Sequence, residues 1–267
     1  MNGALRDTAR RWRAAGRPAV VVEVARTAGS VPRETGTRML VAADAVCGSI
    51  GGGHLELQAI AQARTLLAAP VPAPRDQHIA LGPGLGQCCG GALDLRYGLL
   101  ADDDPAAWPL PLPRFELQLY GAGHVGRAIV RLLADLPCRV GWIDEREEEF
   151  PPGPLPPHIE RICVEPVQAE VAQAPPGACF LVLTHSHALD LALAQAILAR
   201  GDFAWFGLIG SRSKRARFEA RLRERGCAPE LLARMTCPIG LPGITGKEPE
   251  VIALAVVAQL LLQVPAR

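Results

Sequence analysis

Lysine is nearly absent from this 267-residue chain, occurring only at 214 and 247, so its basic side chains are almost all arginine; the formal net charge is +1. With charges so nearly balanced, the arginine skew implies no nucleic-acid face. Cys-x-x-Cys pairs are missing too. The eight cysteines stand at 47, 88, 89, 138, 163, 179, 227 and 237, a spacing that argues against a structural zinc site. No basic, apolar, small-residue leader opens the sequence, so a disulfide framework is not expected and the reading is a cytoplasmic protein. The longest late apolar run, Val251 to Leu262, is broken by Gln259 and falls short of the roughly 20 residues a bilayer requires, so no membrane association is expected. No internal repeat is evident. What is present is ample core material, with 49% hydrophobic residues, enough for one large or two modest globular domains.

The most informative stretch is 116–144. Leu117 and Leu119 supply a short apolar strand, then Gly121-Ala-Gly123-His124-Val-Gly126 leads into a helix, and Arg139 to Asp144 reads as a second strand. Ile129, Leu132, Leu133 and Leu136 recur at helical spacing, and Pro137 stops the helix. Glycines at G-x-G-x-x-G allow a tight turn, a phosphate against bare backbone, and close helix–strand packing. Free N–H groups at the helix start attract that phosphate, and His124 in the first turn is a candidate ligand contact. Asp144, 18 residues beyond Gly126, is positioned to accept hydrogen bonds from a ribose.

The first hundred residues read as a smaller α/β domain. Leu5, Ala9 and Trp12 share one face of an opening helix, and Ala19 to Val24 forms a buried strand. A polar loop framed by Arg26 and Arg33 follows. Gly51-Gly52-Gly53 then precedes a helix carrying Leu57, Ile60, Ala61, Leu66 and Leu67. Gly52 and Gly53 are either a second anion-binding helix start or simply a strand-to-helix turn. Between 82 and 91, five glycines surround the adjacent Cys88 and Cys89. A loop so rich in glycine is a poor place to pack thiols as core filler, which suggests a reactive or ligating role. Adjacent side chains in extended backbone diverge, so one functional thiol is expected rather than two, with Cys89 preferred over Cys88.

Residues 101–114, with three consecutive aspartates and prolines at 105, 109, 111 and 113, read as an interdomain linker. From 115 to 267, strands near 159–164, 179–183 and 205–209 alternate with helices. That alternation predicts a Rossmann-like doubly wound parallel sheet. Its ligand crevice lies beyond the carboxyl ends of the strands, where His185, Ser211, Arg212 and Lys214 join the glycine loop and Asp144 as candidate contacts. His185 and His187 diverge on the chain with only Asp190 near them, which argues against a metal pair. The thiols fall in the first half and the best phosphate site in the second. That division leads to the expectation of a shared cofactor site whose delivery depends on relative motion of the halves.

The chain resembles the XdhC/CoxI family, the xanthine dehydrogenase accessory proteins. The marks are seven blocks in order: Gly29-Ser-Val-Pro-Arg33, Gly48-Ser-Ile-Gly-Gly-Gly-His54-Leu-Glu56, Gly86-Gln-Cys-Cys-Gly-Gly91, Gly121 to Gly126, Thr184-His-Ser-His187, Gly207-Leu-Ile-Gly-Ser-Arg-Ser-Lys214 and Cys237-Pro-Ile-Gly240. The resemblance implies a homodimeric maturation chaperone rather than an enzyme. Such a protein binds molybdenum cofactor (molybdopterin), protects it while a cysteine desulfurase installs its terminal sulfur, and delivers it to xanthine dehydrogenase or a related molybdenum hydroxylase. Soft metals favour thiolates, which makes Cys89, then Cys88, the candidate molybdenum contact. The opposing reading is an NAD(P)-dependent oxidoreductase, because the same loop and Asp144 suit NAD, with His185 or Lys214 as proton donor.

Overall fold

The computed structural model describes residues 2–71, 73–81, 90–109 and 112–264. It divides into two compact units, Met1–Pro111 and Leu112–Arg267.

In the first unit, α1 (Asn2–Ala14), β1 (Ala19–Ala28), β2 (Arg38–Ala42), β3 (Val46–Gly48), α2 (Gly53–Ala68), β4 (Arg75–Ala80) and β5 (Ala92–Leu99) build an antiparallel sheet ordered β3-β2-β1-β5-β4. Strand β1 is central and apolar on both faces, as a strand buried on both sides must be. Val20, Val22 and Val24 meet Leu55, Ala59 and Ala63 of α2, whereas Ala19 and Val21 meet Leu5 and Ala9 of α1. Each valine or leucine among them, fully buried, is worth about 1.5–3 kcal/mol. The face expected for α2 is met in part: Leu57 is 66% exposed, and Leu55, Ala59, Ala63 and Leu66 carry the packing.

The stretch expected as a linker is in part structured against this unit. Asp104 caps a short 3₁₀ turn, Pro105–Ala107, by accepting the Ala106 N–H. Trp108 is buried with α1, donates Nε1–H to Asp103, and lies under the Arg38 guanidinium.

The second unit contains β6 (Glu116–Tyr120), α3 (His124–Leu133), β7 (Arg139–Asp144), β8 (Ile159–Cys163), α4 (Ala169–Gln173), β9 (Cys179–Val182), α5 (His187–Arg200), β10 (Trp205–Leu208), α6 (Arg212–Glu224), α7 (Pro229–Ala233), β11 (Met235–Thr236) and α8 (Pro249–Gln263). All six strands are parallel, in the order β11-β10-β9-β6-β7-β8. This is the doubly wound Rossmann arrangement. One face packs against α3 and α8 through Leu117, Leu119, Trp142 and Leu181. The other packs against α4 to α7 through Ile143, Phe180, Val182 and Phe206. The chain reverses direction across the sheet between β6 and β9, and that switch point opens the crevice. Helix α3 ends at Leu133, ahead of Pro137, and Leu132 faces outward.

Candidate functional site

At the end of β6 the backbone turns through Gly121, whose φ of +120° favours glycine. A Cβ there would come within 2.5 Å of the Leu183 carbonyl oxygen, and one at Gly126 would collide with the Gly121 carbonyl. These two glycines serve the turn and the packing of α3 on the sheet. Gly123 differs. Its φ of −67° suits any residue, and nothing lies within 4 Å of where its Cβ would stand. It is the N-cap of α3, no side chain caps that end, and the first turn has no acidic residue. The α3 start thus offers N–H groups that no side chain caps, together with the positive end of the helix dipole, the arrangement that receives an anion. His124 stands exposed at the same terminus.

Asp144 ends β7 beside this loop, as the spacing predicts, and its carboxylate is engaged by groups of the chain itself. Oδ2 accepts the Ala122 N–H at 2.7 Å and Arg146 Nη2–H at 3.1 Å. Oδ1 accepts the Arg146 backbone N–H at 3.1 Å and its Nε–H at 3.0 Å. Arg146 also donates to Glu149, which pairs with Arg127, and Arg127 donates Nε–H to the Ala122 carbonyl. Only 5% of Asp144 is exposed. Burial opposes its charge, but the Arg146 side chain and the two backbone N–H groups outweigh that, holding the carboxyl below the usual carboxylate range. Arg146 is in turn driven upward by the carboxylate it binds.

Across the switch point, the ends of β9 and β10 are locked together. Asp190, fully buried, accepts the Thr184 N–H and hydroxyl on Oδ1 and Lys214 Nζ–H on Oδ2 at 2.5 Å. Lys214, 6% exposed, also donates to the Ile209 carbonyl at 2.8 Å. Ser211 caps α6 by accepting the Lys214 N–H at 3.2 Å. Lys214 is thus held by the scaffold, with Gly210 leaving room for its stem, whereas Ser211 accepts the helix N–H and stays exposed with its hydroxyl proton uncommitted. Arg212 is exposed at the start of α6. His185 is exposed and lies 3.7 Å from Glu145 at the rim of a shallow depression that Gly121, Asp144 and Thr184 also line. The Asp190–Lys214 pairing was not anticipated. Its signal was an acid on the buried, helical-period face of Leu193, Ala194 and Ile197, which demands a cationic partner.

In the first unit, the second glycine-rich helix start is filled by the chain itself. Glu56 Oε2 accepts the Ser49 hydroxyl at 2.5 Å and the Ile50 and Gly52 N–H groups at 3.1 Å each. At this helix start the Gly52 N–H thus has a carboxylate partner from within the chain. Pro32 packs where a Cβ on Gly51 would stand, and Gly29 approaches Gly91, whose carbonyl accepts the Leu81 N–H at 2.8 Å. Blocks 29–33 and 48–56 and the end of block 86–91 therefore gather at one end of the sheet. Cys88 and Cys89 lie outside the described residues. Among the described cysteines, burial raises the Cys237 thiol and pushes Cys138 up to about 12, so neither is a ready thiolate. Among the described residues no group of three or more His, Cys, Asp or Glu is placed to hold a metal ion, and no helix is long and apolar enough to cross a membrane.

Comparison with known proteins agrees with this arrangement. Residues 117–260 match the XdhC Rossmann domain, and residues 12–75 match the XdhC and CoxI family. The uncharacterized protein YqeB of Escherichia coli (strain K12) is 32% identical over 254 residues, which cover 91% of this chain and 43% of YqeB. The chain thus spans less than half the length of that curated relative. A crystal structure of a xanthine dehydrogenase from Bacillus halodurans shares the fold, with a TM-score of 0.69 at 18% identity over 97% of this chain and 95% of that one. With the family's Rossmann domain matched over more than half its length, the chain belongs to the XdhC and CoxI family.

Proposed function

We propose that this protein is an accessory factor for xanthine dehydrogenase or a related molybdenum hydroxylase. It binds molybdenum cofactor, shelters it while a cysteine desulfurase installs the terminal sulfur, and passes it on without itself turning over a substrate. One observation carries the reading: the uncapped start of α3, with open space above Gly123, in a chain of this family. Molybdopterin ends in a phosphate, and backbone N–H groups at a helix start are suited to hold one. His124, His185 and Arg212 stand exposed around the crevice and supply further donors. Cys89, with Cys88 second, is assigned the contact to molybdenum or its labile sulfur, on the preference of soft metals for thiolate. A homodimer in the cytoplasm completes the proposal. The engaged state of Asp144 counts against the NAD reading, which needs that carboxylate for a ribose.

The test is purification of the full chain from cells that make molybdenum cofactor, with pterin and metal content measured. The expected result is bound pterin and molybdenum in the wild type, and loss of both from Gly123→Leu with its melting temperature kept. Absence of pterin from the wild type, or normal loading of Gly123→Leu, overturns the reading.

A further inference from the structure

We propose that Arg146 is a specificity-determining residue: its clasp on Asp144 closes the ribose subsite, so that the crevice takes a ligand ending in a phosphate monoester and rejects one in which a nucleoside continues beyond the phosphate. This rests on the reading of the α3 start as the cofactor's phosphate site. In a dinucleotide-binding Rossmann domain the acid at the end of the second strand accepts the ribose hydroxyls. A carboxylate offers about four lone-pair positions. Four donors already approach Asp144: the Ala122 N–H, the Arg146 N–H, and Arg146 Nε–H and Nη2–H. A ribose hydroxyl must therefore displace the guanidinium.

That guanidinium is not free to leave. Its other arm donates to Glu149 at 3.1 Å, Glu149 pairs with Arg127, and Arg127 donates to the carbonyls of Ala122 and Glu149, each at 2.9 Å. The glycine loop is held at the Ala122 N–H by Asp144 and at the Ala122 C=O by Arg127, so it keeps both contacts without Arg146, whereas a ribose must break the guanidinium's bonds to Asp144 and Glu149 to enter. Nor is Arg146 presented as a reader of a 2′-phosphate, because its fork faces two carboxylates, and a third anion would have to expel both. The phosphate end of a mononucleotide-type pterin needs none of these groups to move.

The full-length wild type, Arg146→Ala and Arg146→Lys are titrated with molybdopterin, its cytidine dinucleotide form, NAD and NADP. The wild type is expected to bind molybdopterin at least about tenfold more tightly than the dinucleotide form, a difference of about 1.4 kcal/mol. Arg146→Ala leaves Asp144 accepting only backbone N–H groups and should gain about tenfold or more for the dinucleotide form and for NAD, with molybdopterin within about threefold of wild type. Arg146→Lys keeps the charge but not the fork and should fall between them. Equal wild-type affinity for the two cofactor forms, or no gain in Arg146→Ala, overturns the proposal. If the wild type binds neither form, the cofactor reading fails; a gain in NAD affinity by Arg146→Ala then still supports the clasp, and its absence overturns it.

Discussion

The glycine-rich helix starts before α2 and before α3 end differently. At α2 a first-turn acid, Glu56, folds back onto the Ser49 hydroxyl and the Ile50 and Gly52 N–H groups, so the helix end is satisfied from within. At α3 no first-turn acid exists, and the neighbouring acid, Asp144, binds Ala122 rather than the helix terminus. Glycine content alone therefore does not mark an anion site. What separates the two is the acid in the following turn, which at α2 satisfies a helix end that at α3 no side chain caps.

The largest way to break the α3 site is to break the frame across the crevice from it. Replacing Lys214 by Ala leaves Asp190 charged, buried and short of its main partner, which costs about 3–5 kcal/mol. Urea denaturation of the full chain checks this, with Asp190→Asn/Lys214→Met as the compensating pair expected to recover most of the loss. A Lys214→Ala chain as stable as wild type would make the pair dispensable. Next in size, Gly123→Leu is expected to weaken pterin binding by about a hundredfold, near 2.7 kcal/mol, because the side chain fills the approach to the N–H groups. The matching change at Gly52, at a φ of +76° that disfavours any side chain, should cost the first unit stability but leave the pterin affinity of the folded chain unchanged. Equal losses from both substitutions would erase the distinction between the two starts.

Glu56→Gln sharpens the same contrast from the other side. It weakens a three-donor cap, and the expected cost is about 1.5–3 kcal/mol in the first unit, the range for hydrogen bonds to a charged group. Hydrogen exchange of the α2 amides should reveal faster opening there, with β6 and β7 untouched. Protection unchanged in α2 would mean that Glu56 is only an incidental neighbour.

The β6–α3–β7 unit was legible because its signals are local: apolar strand, glycine spacing, helical period and an acid at the right distance. The six parallel strands followed from alternation, except β11, two residues long and paired only at Phe206 and Gly207 of β10, too short to carry a period. On α2 the expected Leu66, Ile60 and Leu67 do pack on the core, but Leu57 is exposed and alanines 59 and 63 take the inner positions, because small residues fit where the helix lies close to the sheet. In the site, spacing placed Asp144 correctly but could not say which donors reach it, since those depend on how Arg146 and Arg127 fold back. The Asp190–Lys214 pair joins separate elements, and only an unexplained acid on a buried face hinted at it.

The smallest expected effect is a pH dependence, and it separates the acid beside α3 from a merely structural carboxylate. The hydrogen bonds of Arg146 and the N–H of Ala122 hold the Asp144 carboxyl below its ordinary range against the opposing effect of burial. As pH falls, the unfolded chain then takes up this proton before the folded chain does. The stabilisation is accordingly complete above the ordinary carboxylate pKa and disappears as pH falls through the lower folded value. Asp144→Asn removes the charge and should flatten this acid limb, so that its stability deficit at neutral pH shrinks as the wild type protonates. Hydrogen exchange of β6 and β7 amides, followed from neutral pH into the acid range, reports on the second unit by itself. Acid limbs that run parallel in wild type and Asp144→Asn would show that the carboxylate's charge does not hold the loop. The clasp would then be a geometric contact, and Arg146 would owe its place to Glu149 instead.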